Sequence, residues 1–254
     1  MDPTIFISMG VFFVILIALI LIRLKSSNFE IKVTDLVVAV LPVVIFLLVT
    51  GKIQKFEMGE LKIETAFVKA STSAIKAQVT QLTGLPSEPL QIDPKRGVEE
   101  IPRLIEKRTE GLLFLLGYGG YYGPAIQEYL NQLLKYPYLK YIILENPDRT
   151  FFGMADAREL ATLLSSVKPP YSANDFATWL KKPDTSSLKR LSGFEGSDMA
   201  VSQTTDKKQT LQIMDKLNVE NLPVINKDKR FAGIVNRSRL TASLIIDIAN
   251  ELKK

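Results

Sequence analysis

An internal repeat constrains this chain more than any other feature. Shifted by eighty residues against itself, NPDRTFFGMADARELATLL from Asn146 falls without a gap on NKDKRFAGIVNRSRLTASL from Asn226. Asn146 and Asn226, Asp148 and Asp228, Phe151 and Phe231, Gly153 and Gly233, and Leu160 and Leu240 coincide. Each copy reads in one order: amphipathic helix, short apolar strand, Asn-x-Asp turn, second strand with a glycine, helix. The pattern predicts these elements at 124–135, 141–145, 150–155 and 158–165, and again at 208–217, 222–226, 230–236 and 239–252. One copy alone cannot bury both faces of its sheet. The two copies are therefore expected to pack about a pseudo-twofold axis in a mixed α/β (α+β) unit.

The N-terminal part obeys a different rule. Thr4 to Ile22 holds nineteen residues without a charge, which at 1.5 Å rise cover roughly 28 Å, the thickness of a hydrocarbon core. No basic stretch precedes this segment and no small-x-small site follows it, so it reads as a retained anchor rather than a cleaved signal. A second aliphatic run, Leu36 to Thr50, carries Pro42, which a bilayer tolerates where neighbours satisfy the backbone. Two transmembrane helices in a hairpin are predicted over 1–50, multi-pass in a cell (inner) membrane. The flanks hold Arg23, Lys25 and Lys32 on one side and Lys52, Lys55, Lys62 and Lys69 on the other, a near-even balance. The soluble part is assigned to the cytoplasm.

Between anchor and repeat, KIQKFEMGELKIE reads as strand, turn and strand at the membrane surface, and 65–82 as a helix with Val68, Ile75 and Leu82 seven apart. TGLPSEPLQIDPKRG, at 83–97, packs three prolines and two glycines into a predicted linker. The expected domains are thus 1–50, 51–97 and 98–254. The last divides into a first copy (98–170), a connector (171–200) and a second copy (201–254).

Composition removes whole classes of chemistry. With no cysteine and no histidine, disulfides, thiolate and imidazole metal sites, cysteine nucleophiles and serine-histidine hydrolysis are excluded. The net charge of +5 is spread as cation pairs among acids, a solvated surface rather than a nucleic-acid footprint. No cofactor and no enzymatic constellation is implied.

The stretch NVENLPVINKDKRFAGIVNRSRL, with Leu222-Pro223-Val224 before the Asp228 turn and Gly233-Ile234-Val235 after it, resembles a CBS domain, the module named after cystathionine beta-synthase. YIILENPDRTFFGMADARELATLL resembles the same module more loosely. The resemblance implies a tandem CBS-like pair, a homodimer, and paired clefts that in many members bind adenosine nucleotides and regulate an attached protein. After the glycine the family commonly has Thr/Ser-x-x-Asp, the hydroxyl meeting phosphate and the carboxylate meeting ribose. Here Asp156 and Asn236 stand at the hydroxyl position, and Glu159 and Arg239 at the carboxylate position. Glu159 can accept from ribose hydroxyls, Asp156 repels phosphate, and Arg239 only donates. The resemblance therefore implies a ligand of adenosine type with little phosphate. Val224 joins these as a candidate contact.

A second candidate is GYGGYYGP at 117–124, where Gly119 and Gly120 precede a predicted helix and loop amides could hold an anion. The dinucleotide fingerprint fails, since Tyr122 stands at the third glycine position. The alternative is a tight turn that exposes Tyr118, Tyr121 and Tyr122. The reading at this level is a membrane-anchored regulatory protein that binds a small ligand or an unidentified membrane or cytosolic protein. A scaffold dimerising through its CBS-like faces is the alternative.

Overall fold

The structure is a computed structural model that describes residues 63–92, 98–166 and 171–252. Both apolar N-terminal segments and most of the predicted juxtamembrane hairpin lie outside these residues. Among the described residues no helix is long and apolar enough to cross a membrane. The chain divides into two compact units, one of residues 75–205 with 219–236, the other of residues up to 74 with 206–218 and 237–254.

The larger unit holds both sheets. The first has the order β1 (Gly111–Leu115), β2 (Tyr141–Glu145), β3 (Phe151–Asp156), β4 (Glu195–Gly196); the second runs β5 (Val201–Ser202), β6 (Asn221–Ile225), β7 (Phe231–Asn236). β1 pairs parallel with β2, and β5 parallel with β6. β2 and β3, like β6 and β7, form antiparallel hairpins. The repeat is reproduced in backbone detail. Tyr141 faces Asp156 as Asn221 faces Asn236, and a bulge falls between Leu144 and Glu145 in one hairpin and between Val224 and Ile225 in the other. Each hairpin turns on a left-handed residue, Arg149 (φ 70°) or Lys229 (φ 56°). Each turn also closes alike: Asn146 N–H donates to Thr150 O (2.8 Å) and Asn226 N–H to Arg230 O (3.0 Å). Local sequence differs in how it supports the turn. Asp148 Oδ1 accepts from the Thr150 amide in the first, and Asn226 Oδ1 from the Asp228 and Arg230 amides in the second.

Helices α2 (Ile101–Glu106), α3 (Gly123–Leu133), α4 (Ala157–Ser165), α5 (Ala173–Lys181) and α6 (Thr185–Leu188) belong to the same unit. Strand β1 is apolar at every position because it is covered on both faces, as parallel pairs usually are. Leu112, Phe114, Ile142 and Leu144 pack into the helical layer, while Leu113, Ile143 and Met154 turn to the other face and meet Phe151, Phe231, Ile225 and Ile234. Phe151 and Phe231, equivalent by the repeat, touch with ring centroids 5.5 Å apart, the near-axial contact that the pseudo-twofold arrangement requires. Helix α5 starts at a capping box between Ser172 and Asp175, and buries Phe176 against Phe114 at 6.1 Å.

Two expectations are corrected. Helix α1 (Ile63–Ser71) stops well before residue 82, because Thr72 and Ser73 turn their hydroxyls back onto the Val68 and Ala70 carbonyls (2.9 and 2.7 Å) and compete with continuation. A 3-10 turn follows at Ile75–Gln78. Val68 is 52% exposed whereas Ile75 and Leu82 are buried off the helix, so the seven-residue spacing is not one stripe. The described part of the predicted linker, residues 83–92, is packed rather than free. Leu82, Leu90 and Ile92 are buried, and the Leu90 amide donates to Leu113 O at 2.8 Å. The compact unit thus starts at Ile75, before the expected boundary at 98. Prolines 86 and 89 donate nothing to a ladder, yet they suit an extended segment whose leucines enter the core.

Each sheet gains its outer edge from a segment outside its own hairpin. Glu195 of β4 pairs with Met154, and Thr80 forms an antiparallel bridge with Ile234, the residue equivalent to Met154.

The smaller unit contains α1, α7 (Lys207–Leu217) and α8 (Arg237–Glu251). Lys69 Nζ meets Glu251 Oε2 at 2.6 Å, and Lys207, 2% exposed, donates to Ser243 Oγ (3.0 Å) and pairs with Asp247. A buried ammonium without its counter-ion is costly. Because water reaches Asp247, we expect Asp247→Ala to lower stability by only about 1–2 kcal/mol. Urea unfolding of the full chain in mild detergent checks this; an unchanged midpoint counts against a stabilising pair.

Candidate functional site

The end of β3 and the first turn of α4 bring Asp156 and Glu159 together. Asp156 is the N-cap of α4: its Oδ1 accepts from the Arg158 and Glu159 amides, both at 2.8 Å. The amides that a helix start would offer to a phosphate are thereby occupied by a carboxylate of the chain itself. Gly193, at φ 65°, lies beside this pair. A β-carbon there would stand 3.2 Å from Glu159 Oε2 and 3.7 Å from Asp156 Cβ.

Glu195, which sequence reasoning missed, belongs to the same end of the sheet. It sits on β4 opposite Met154, and its Oε2 is buried without a hydrogen-bond partner among the described residues. Burial pushes its carboxyl up to about 7. Tyr141, across the ladder from Asp156, has its phenol raised first by burial and then by the charges of Glu195 and Asp156. The first cleft end thus carries the carboxylates of Asp156 and Glu159, and these acceptors suit hydroxyl, amine or amide donors rather than phosphate.

The equivalent position of the second copy is built differently. Asn236 Nδ2 donates to Asn221 Oδ1 (3.0 Å), a neutral amide pair where the first copy has Asp156 opposite Tyr141. Arg239 lies in the first turn of α8, exposed, in the smaller unit. Val224 is not a surface contact. It is fully buried on β6, with Val201 on one side and Gly233 on the other.

Three amides of the glycine loop are used by the fold: Gly117 N–H donates to Leu180 O (2.8 Å), Tyr118 N–H to Leu115 O (3.4 Å) and Tyr122 N–H to Ile92 O (3.1 Å). Gly120 accommodates the Tyr118 ring, which a β-carbon would approach at 2.6 Å, while around Gly119 the space is open. Tyr121 is fully buried, its hydroxyl accepting from the Leu115 amide at 2.6 Å; only Tyr122 of the three tyrosines is well exposed. Among the described residues no group of carboxylates is arranged to hold a metal ion.

No protein-family model and no curated protein sequence matches this chain. Solved structures do. The chain is similar to a CBS domain pair/ACT domain protein from Thermotoga maritima, at 15% identity over 68% of this chain and 97% of that one, with a TM-score of 0.33. It is similar to the CBS domains of a transcriptional regulator from Streptococcus pneumoniae, at 17% identity over 51% and 86% and a TM-score of 0.31. A third is the CBS domain of a bacterial CNNM/CorC family Mg2+ transporter in complex with ATP, at 11% identity over 72% and 95% and a TM-score of 0.38. The solved structures it resembles include CBS domain pairs.

Proposed function

We propose that this chain is a membrane-anchored regulatory protein whose CBS-like pair senses a small ligand of adenosine type through the first-copy cleft and relays its occupancy toward the N-terminal segment. The reading is supported by the resemblance of the repeat to that module and by the inequality of the two copies at their cleft ends. The observation that carries the ligand class is the Asp156 carboxylate on the first amides of α4, at 2.8 Å. A phosphate would have to displace that carboxylate and approach Glu159 as well. A nucleoside brings hydroxyl and amino donors, which these acceptors can receive. The second copy has the neutral Asn236 and Asn221 pair instead.

Titration calorimetry on the full chain in mild detergent tests this. Adenosine is expected to bind more tightly than AMP, and AMP more tightly than ATP, with Glu159→Ala weakening adenosine by about 1–3 kcal/mol, the usual effect of leaving polar partners unmatched. Tight ATP binding that is indifferent to Glu159→Ala would reverse the reading of the cleft.

A further inference from the structure

Near the two hairpin turns, at the opposite end of β2 and β3 from Asp156, lies a cavity of about 490 Å3, the size of a small-molecule site. Glu145, Arg230, Gln203, Asn226, Leu82 and Phe231 are among the residues that line it. Its two charges are departures from the repeat. The position equivalent to Glu145 is Ile225, which packs against the core between the sheets, and the position equivalent to Arg230 is Thr150. An aliphatic residue therefore satisfies the packing at this point of the fold, yet the first copy carries a carboxylate there that is 6% exposed. Burying a carboxylate is unfavourable even when it is paired.

The pairing is also incomplete. Among the described residues the side chain of Glu145 has one direct partner, Arg149 Nε at 2.7 Å, an ion pair without the alignment of a hydrogen bond. Arg149 is held from its other nitrogens by Glu88 Oε2 (2.7 Å) and Ser87 O (3.0 Å). Arg230 is exposed and forms no ion pair among the described residues, although its charge reaches Glu145. The surroundings are balanced in sign, Glu145 and Glu88 against Arg149 and Arg230. A ligand with excess negative charge would meet Glu145; one with excess positive charge would meet Arg230. A molecule with one charge of each sign meets neither obstacle, and Leu82 and Phe231 offer an apolar wall to the rest of it.

We propose that this cavity binds a small zwitterion of the α-amino-acid class, its ammonium taken by Glu145, its carboxylate by Arg230, and an apolar side chain set against Leu82 and Phe231. The site is separate from the Asp156–Glu159 cleft and does not depend on nucleoside binding there.

The experiment is calorimetric titration of the full chain in mild detergent with each proteinogenic L-amino acid at millimolar concentration. The expected result is binding of at least one amino acid with an apolar side chain, weakened about tenfold or more by Glu145→Gln and by Arg230→Ala. Its deaminated and decarboxylated analogues are expected to weaken by a similar factor. Arg230 is exposed, so its variant is expected to fold even if Glu145→Gln perturbs the sheet. Adenosine binding is expected to survive Arg230→Ala, and amino-acid binding to survive Glu159→Ala, which separates the two sites. Absence of binding by every amino acid, or binding indifferent to Arg230→Ala, overturns the proposal.

Discussion

Gly233→Ala is expected to destabilise the protein by about 3–5 kcal/mol, as a loss in the denaturant midpoint at unchanged slope. Gly233 has φ 140°, a region that side-chain-bearing residues rarely enter, and a β-carbon on it would stand 2.4 Å from Thr80 O. That carbonyl accepts from the Ile234 amide at 2.9 Å, while the Thr80 amide donates to Ile234 O at 2.8 Å. Relief of the overlap would push the Thr80 segment away and break both bonds, each worth about 1 kcal/mol, on top of about 1–3 kcal/mol of backbone strain. The equivalent Gly153 is occupied from outside in another way: there a β-carbon would meet the Phe194 ring at 2.3 Å. A ring can swing aside where a paired strand cannot. Gly153→Ala is therefore the control, with the smaller loss; equal losses would argue that the Thr80 pairing contributes nothing.

Glu195→Gln is expected to stabilise the protein at pH 8 by about 2 kcal/mol and to leave it nearly unchanged at pH 4.5. Burial raises this carboxyl from its ordinary 4.5 to about 7 in the folded protein. Between those values the native state holds a proton that the unfolded chain has released. Stability attributable to this group is thus greatest below the unfolded value, falls as pH rises through the window, and levels off above about 7. The figure is reduced from the full linkage value because water reaches part of the side chain. The readout is the difference between wild type and variant, since Glu145, raised by burial, adds to the same trend while Asp175, lowered by its bonds to Ser172, opposes it. A difference constant from pH 4.5 to pH 8 would mean that folding leaves the Glu195 carboxyl unshifted.

Much of the larger unit is legible in the sequence, and the reason is local. The strands at 141–145 and 231–236, the turns between them and the helices after them carry their pattern in adjacent residues, and the repeat checks each copy against the other. Strands β4 and β5 have two residues each, too few for any periodicity, and they exist only because a neighbouring strand is there to pair with. Glu195 was missed for that cause: nothing in FEGSD marks a glutamate about to enter a sheet edge. Residues 83–97 read as a linker because three prolines and two glycines stand among fifteen residues, whereas within 83–92 Leu90 and Ile92 decide the packing. Val224 stands in the motif but is core, as an aliphatic residue in mid-strand usually is. The position of Asp156 after the strand is visible in the repeat, whereas its bonds to the α4 amides depend on how the chain turns into the helix.

The borrowed edges have a consequence for how such a chain acquires its shape. Thr80 extends the sheet of the second copy and Glu195 that of the first, so the second half takes an edge segment synthesised well ahead of its hairpin and the first half one synthesised after its hairpin. On a ribosome, the segment around Thr80 emerges early and must wait for nearly the whole chain before Ile234 arrives to pair with it. Contacts of that sequence separation slow the search for the native state. During the wait β3 also lacks its partner until β4 follows, and an unpaired strand edge invites pairing with other chains. A fragment ending at residue 170 would hold both open edges permanently, and it is expected to aggregate where the complete chain does not.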